Sequence, residues 1–268
     1  MSKPSILIVP GSFTPGHVYG NVMERVAARG YDIRALQMPS VRLETESPTA
    51  RKPSSMYDDA AFVASQAAAL ADNGKDVIII SHSYGGVPAT ECVKGLAKVA
   101  RQKLGKQGGV VRLAYMTALV PALGSSASNV LDMGERPEGD RLTMDVDAVG
   151  WLTIPVTADT LRLLVPGLPQ GEGEAWAGKM TAHSAASFGD ALTYAGYKDV
   201  PVSYLVCEED LVIPAGSQSR MVDLVEQETG RKVDVTKIPA GHAPNATATQ
   251  AVVDWIIHVA EKDENLSV

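Results

Sequence analysis

The chain has only two cysteines, Cys92 and Cys207, among its 268 residues. Two thiols are too few for a disulfide framework or for a metal site built from cysteines. The five histidines show no paired metal-ligand spacing, and the sequence lacks GxGxxG, Walker and HExxH motifs. These absences lead us to expect a reduced protein that uses neither a metal nor a cofactor.

The chain also has no excess of positive charge and no long apolar run. The 24 basic and 31 acidic residues give a net charge of −7, which offers no global attraction for nucleic acid or anionic lipid. The strongest apolar runs, residues 6–9 and 77–80, are far shorter than the roughly 20 residues that span a bilayer. Pro10 and Gly11 end the first run, so no secretory signal is visible. We expect a cytoplasmic protein without a nucleic-acid or membrane partner.

What the sequence does contain is a regular alternation of short β-branched segments with helical patterns. The segments predict strands at residues 5–9, 31–36, 76–81, 110–117, 201–207 and 232–238. The helical patterns fall at residues 21–29, 58–71, 86–103, 214–229 and 246–260. This alternation is typical of an α/β fold with a mostly parallel central sheet and helices on both faces.

The strand signal stops between about residues 120 and 199. This stretch carries Gly-Ser pairs and scattered large apolar residues, among them Trp176 and Met180. About 80 residues are too many for a bare loop. We expect one domain over residues 1–268, with a helical lid inserted after the fourth strand. A second independent domain is the alternative, but the insertion has no core pattern of its own.

The clearest motif is the segment Ile80-Ser81-His82-Ser83-Tyr84-Gly85-Gly86. A predicted buried strand runs straight into a turn, with Ser83 at its apex and two glycines where a helix begins. Such a nucleophile elbow holds a serine in a strained turn that lifts its hydroxyl off the sheet. The motif departs from GxSxG at its first position, where another small residue, Ser81, replaces glycine. The alternative is a chance Ser-Gly turn.

Two further polar residues follow predicted strands. Asp210 lies in the turn after residues 201–207, where Glu208 and Glu209 compete with it, and His242 follows the last strand. The carboxyl ends of parallel strands meet at one edge of a sheet, so these residues and Ser83 can converge. We expect His242 to take the proton of Ser83, and Asp210 to orient the imidazole.

The loop after the first strand, Val9-Pro10-Gly11-Ser12-Phe13, is the candidate for an oxyanion hole. Acyl transfer needs preorganised N–H donors for the developing oxyanion. The backbone N–H of Tyr84 is one expected donor, and that of Ser12 or Phe13 is the other. An ordinary Pro-Gly turn is the alternative.

Together these motifs resemble the α/β-hydrolase superfamily, in particular its branch of methylesterases, hydroxynitrile lyases and related small-molecule esterases. The resemblance extends over nearly the whole chain, with VSYLVCEEDLVIPAGSQSRMV similar to the acid-bearing segment of that branch. It implies the α/β-hydrolase fold and favours Asp210 as the acid. The usual His-Gly of the oxyanion loop is Pro10-Gly11 here. Ala243 follows His242 where the lyases carry a lysine, which favours hydrolysis over cyanohydrin cleavage.

We therefore expect a serine esterase that cleaves a carboxylic ester or lactone of a small to medium apolar molecule, as a monomer or homodimer. A lyase or cyclase that tailors secondary metabolites and a slow-turnover ligand receptor remain alternatives. Candidate substrate contacts are His17, Trp176, Met180 and His183. A surface position explains His17 equally well, and packing within the lid is the favoured explanation for each of the other three. Strand alternation points His82 away from Ser83, which predicts structural packing.

Overall fold

The computed structural model describes residues 3–132 and 138–264, and its centre is a six-stranded sheet. Numbered along the chain, the strands are β1 (Ser5–Val9), β2 (Ile33–Ala35), β3 (Asp76–His82), β4 (Gly109–Met116), β8 (Val202–Cys207) and β9 (Asp234–Ile238). They lie in the order β2-β1-β3-β4-β8-β9, and every neighbouring pair is parallel. All the strand carboxyl ends therefore meet at one edge, as predicted.

Helices cover both faces of this sheet. They are α1 (Gly20–Ala27), α2 (Met56–Asp72), α3 (Gly86–Glu91), α4 (Lys98–Gln102), α8 (Ala215–Thr229), α9 (Pro244–Thr247) and α10 (Thr249–Glu264). Alternate residues of β1 enter two separate apolar cores. Ile6 and Ile8 pack with α1 and α10, whereas Leu7 and Val9 pack with α2, α3 and α8. The predicted fold class, a mostly parallel sheet between two helical layers, is confirmed.

The single helix predicted over residues 86–103 is wrong. The structure has two short helices, α3 and α4, separated by a turn at residues 92–97. Gly95 adopts φ = +74°, a backbone conformation that ends a helix. The Val110 N–H donates to the Leu96 carbonyl at 2.8 Å, so the turn attaches to the start of β4 instead of continuing the helix.

The insertion, residues 120–199, is only partly helical. It contains α5 (Ala127–Asp132), β5 (Asp145–Val146), β6 (Trp151–Thr153), α6 (Ala158–Leu164), α7 (Gln170–Ala177) and β7 (His183–Ser184). The sequence predicts a helical lid here; besides its helices, the insertion has a small antiparallel sheet formed by β5, β6 and β7. Strands of two or three residues are too short to show an alternating pattern in the sequence.

No helix within the described ranges combines the length and the apolar character that a membrane span requires.

Candidate active site

Ser83 lies at the apex of a sharp turn at the carboxyl end of β3. It begins the short 3-10 turn Ser83–Gly85, which leads directly into α3. Its φ of +52° is unusual for a residue with a side chain, and such strain concentrates at functional sites. The side chain is 8% exposed and lines a cavity. The predicted elbow is therefore present in the structure.

The two glycines after the elbow allow the backbone to pass very close to its neighbours. A Cβ at Gly85 would lie 2.5 Å from the carbonyl oxygens of both Val9 and Pro10. A Cβ at Gly86 would lie 2.3 Å from the carbonyl oxygen of Leu119. All of these close neighbours are backbone atoms, which cannot move aside as a flexible side chain would. Glycine is thus a steric requirement at both positions.

Replacing Gly85 with alanine is expected to destabilise the protein by about 1–3 kcal/mol, the usual cost of overpacking. The added methyl group would separate the elbow from the end of β1. The free energy of unfolding in urea measures this effect. Gly20→Ala is the matched control, because a Cβ at Gly20 meets nothing within 4 Å. Equal stability of the two variants would contradict the steric explanation.

The three residues predicted to act together are within hydrogen-bonding distance. His242 Nε2 lies 3.0 Å from Ser83 Oγ, and His242 Nδ1 lies 2.8 Å from Asp210 Oδ2. Asp210 is a carboxylate acceptor, so Nδ1 carries the proton and donates it to Asp210. Nε2 is then unprotonated and accepts the hydrogen bond of the Ser83 hydroxyl. This tautomer is the one in which an imidazole can remove a proton from serine.

Four hydrogen bonds hold the Asp210 carboxylate in place. Its Oδ1 accepts the backbone N–H groups of Val212 at 2.7 Å and Ile213 at 2.9 Å. Its Oδ2 accepts the Thr117 hydroxyl in addition to His242. Our sequence analysis missed Thr117, whose only signal is a polar residue at the carboxyl end of a strand. Glu208 and Glu209, the competing carboxylates, are exposed.

The loop after β1 lies next to Ser83, since a Cβ at Gly11 would be 3.1 Å from the Ser83 Cβ. Phe13 has φ = +63°, and its carbonyl accepts the Thr181 N–H of the insertion at 2.8 Å. Within the described chain, the N–H groups of Ser12 and Phe13 donate no backbone hydrogen bond. Tyr84 lies at the start of a helical turn, where N–H groups lack partners inside the turn. Together with Ser83, these three residues line one cavity, so the predicted oxyanion donors are close to the serine.

His82 connects the loop after β1 to His242. Its Nε2 lies 2.7 Å from the His242 carbonyl, to which it donates, and its Nδ1 lies 2.7 Å from the Tyr19 hydroxyl. The Tyr19 oxygen in turn accepts the Gly11 N–H at 3.2 Å. Burial lowers the pKa of His82 to about 3, so its imidazole stays neutral and keeps this pattern near neutral pH. His82 therefore has a bridging position beyond simple packing.

The cavity in front of Ser83 has a volume of about 410 Å³ and is mainly apolar. Ser83 and His242 lie on its wall, and much of the remaining wall comes from the insertion. The apolar lining includes Leu119, Leu131, Leu142, Leu152, Ile154, Leu164, Trp176, Met180 and Phe188. A cavity of this size and composition suits a small to medium apolar molecule. Among the described residues, no cluster of His, Cys, Asp and Glu side chains could hold a metal ion.

Comparison with known proteins agrees with this geometry. Residues 6–255 match the model of the alpha/beta hydrolase family. The chain belongs to that family. The chain is 33% identical to "Probable hydrolase R7" of Phoma sp. over 97% of its own length and 99% of that protein. It is therefore a hydrolase of the alpha/beta hydrolase family.

The chain also has more distant similarities. The chain is 25% identical to "Pyrethroid hydrolase" of Sphingobium wenxiniae, over 97% of this chain and 89% of that one. The solved structure of the methylesterase MES16 from Arabidopsis superposes with a TM-score of 0.67 at 13% identity. The match covers 96% of this chain and 99% of the methylesterase. The second similarity concerns the fold alone.

The predicted substrate contacts of this alpha/beta hydrolase divide into two groups. Trp176 and Met180 line the cavity. His17 is exposed, because its 3-10 turn, Gly16–Tyr19, directs Tyr19 into the core and His17 toward solvent. His183 is buried outside the cavity lining, with its ring against those of Phe13 and Tyr84. The structure thus does not place the two histidines where they would touch a substrate.

Proposed function

We propose that this hydrolase is a serine esterase that cleaves a carboxylic ester, or a lactone, of a small to medium apolar molecule. One observation carries the proposal: Ser83, His242 and Asp210 form a continuous hydrogen-bonded chain that ends in an apolar cavity. The similarity to the protein named "Pyrethroid hydrolase" also supports a hydrolytic reaction.

The proposed reaction begins when His242 Nε2 removes the Ser83 proton and Oγ attacks the carbonyl carbon of the ester. The N–H groups of Tyr84 and of Ser12 or Phe13 bind the oxyanion that forms. His242 then protonates the departing alcohol, which leaves an acyl group on Ser83. A water molecule, activated by the same imidazole, releases the acid. Asp210 stabilises the imidazolium in both halves of the reaction.

The insertion is proposed to act as the lid over this reaction. It supplies most of the apolar cavity wall, including Trp176 and Met180, which would contact the acyl or alcohol group of the substrate. Excluding water strengthens the interactions between the oxyanion and its donors, because the local dielectric constant falls.

A panel of esters that vary separately in acyl and alcohol size tests the proposal. We expect turnover of apolar esters that fit a cavity of about 410 Å³, and little turnover of charged ones. Mass spectrometry in ¹⁸O-labelled water should find one heavy oxygen atom in the acid product. A product without added water would instead indicate a lyase or cyclase. Single acylation without turnover, together with ligand-dependent binding of a partner, would indicate a receptor.

A further inference from the structure

Asp59 is a buried carboxylate in α2, on the helix face that packs against the sheet. Its side chain is 0% exposed, and its neighbours on that face are Met56, Ala60 and Val63. Within residues 3–132 and 138–264 no cation pairs with it. A buried unpaired charge costs stability, so an apolar residue would serve packing better at this position.

Two hydrogen bonds hold the Asp59 carboxylate. Oδ1 accepts the Ser40 N–H at 2.8 Å, and Oδ2 accepts the Tyr84 hydroxyl at 2.9 Å. Tyr84 immediately follows Ser83, and its N–H is a proposed oxyanion donor. The Tyr84 side chain thus links the Asp59 carboxylate to the backbone N–H that is proposed to bind the developing negative charge.

The ring of Tyr84 is held on its other side by the insertion. Its centroid lies 4.7 Å from that of His183 and 5.3 Å from that of Phe188. The His183 ring centroid also lies 5.4 Å from that of Phe13, which is one of the two candidates for the second oxyanion donor. Asp59 therefore fixes one end of a ring cluster that joins both sides of the proposed oxyanion hole to the lid.

We propose that Asp59 is a positioning residue that, through the Tyr84 hydroxyl, holds the oxyanion donor beside Ser83 in place. This inference rests on the proposed esterase function. A displaced donor would bind the oxyanion less well. Stabilisation of the transition state thus explains why the chain keeps a buried charge that lowers its stability.

The ionisation of Asp59 makes the proposal testable by pH. Burial raises the pKa of its carboxyl to about 6, although its hydrogen bonds to Ser40 and Tyr84 oppose this shift. The nearby charge of Asp58 on the same helix raises it further. The facing groups stay neutral in this range, because burial raises the pKa of Tyr84 and lowers that of His183 to about 3. Asp59 alone among them changes charge near pH 6.

The decisive experiment compares Asp59→Asn with the unmodified enzyme across pH. At pH 8 we expect kcat to fall about 10-fold with KM nearly unchanged, less than the 10²–10³-fold loss of a whole oxyanion donor. As pH falls below about 5, Asp59 becomes neutral and the ratio of the two kcat values should approach one. Effects of pH that are common to both enzymes cancel in this ratio. A ratio that stays constant with pH would overturn the proposal.

Thermal unfolding provides a readout that does not depend on activity. A carboxyl whose pKa is higher in the folded chain favours folding at low pH, and this contribution is lost as pH rises through about 6. The Tm of the unmodified protein, relative to that of Asp59→Asn, should therefore decrease from pH 5 to pH 8. A Tm difference independent of pH would contradict the assigned ionisation.

Two further variants separate positioning from general stability. Tyr84→Phe should reduce kcat as much as Asp59→Asn, and the double variant should show no additional loss. Asp58→Asn removes a neighbouring charge and a helix-capping contact, so it should lower Tm but leave kcat at pH 8, where Asp59 is ionised, unchanged. Additive losses in kcat would overturn the proposal. Fluorophosphonate labelling of Ser83 is measured in every variant. If Ser83 is labelled but the expected effects on kcat are absent, the positioning proposal fails; if Ser83 is never labelled, the esterase assignment fails.

Discussion

Replacing Ser83 with alanine is expected to abolish labelling by a fluorophosphonate and to reduce kcat by about 10⁶-fold, the loss typical of a serine-hydrolase nucleophile. The hydroxyl is the only group on this residue that can form the acyl-enzyme. His242 Nε2 lies 3.0 Å from it and would have no proton to remove in the variant. Intact-protein mass spectrometry and turnover of the best ester in the panel measure both effects.

Ser81→Ala is the matched control for this experiment. Ser81 lies two residues earlier, is fully buried and has a hydroxyl with no hydrogen-bond partner among the described residues. Removing an unpaired buried hydroxyl costs little, so labelling and turnover should persist. Labelling that survives in Ser83→Ala, or disappears in Ser81→Ala, would contradict the assignment of the nucleophile.

The sheet and the three central side chains could be predicted because each depends on a strong local signal. Fully buried parallel strands are continuous apolar runs, such as Val77 to Ile80, and parallel pairing places their carboxyl ends together. Once those ends are known, Ser83, Asp210 and His242 must lie at the same edge. In the structure, contacts of 3.0 and 2.8 Å join these three side chains.

Features that depend on tertiary contacts could not be predicted in this way. The break between α3 and α4 is caused by pairing of Ala97 with Val110, which outweighs local helix propensity. Thr117 contacts Asp210 only because β4 and β8 are neighbours in the sheet. The strands of the insertion are only two or three residues long, too short to show a recognisable alternating pattern in the sequence.

The burial of Asp59 could be predicted from the sequence, but its hydrogen-bond partner could not. Met56, Ala60, Val63 and Ala67 follow helical spacing and define the buried stripe of α2. Asp59 falls on that stripe, where a carboxylate is unexpected in an alanine-rich helix. Such a position indicates a buried polar role, but only the fold identifies Tyr84 as its partner.

Replacing Asp210 with asparagine is expected to reduce kcat by about 10⁴-fold while leaving the fold intact. The reason is the proton on His242. The N–H groups of Val212 and Ile213 both point at Oδ1 and require an acceptor there, so the amide oxygen would occupy that position. The amide NH₂ would then face His242 Nδ1, which would have to accept. The imidazole proton would move to Nε2, which faces Ser83 and could no longer act as a base.

Two matched variants complete this prediction. Glu209→Gln changes an exposed carboxylate in the same turn and should leave kcat unchanged. Thr117→Val removes one donor from Oδ2 without changing the His242 tautomer, so its loss should stay near 10-fold, the value of about one hydrogen bond. The rate of fluorophosphonate labelling should follow the same order as kcat. An active Asp210→Asn beside an inactive Glu209→Gln would assign the acid role to Glu209. It would also contradict the assumption that the contacts of Oδ1 decide which imidazole nitrogen carries the proton.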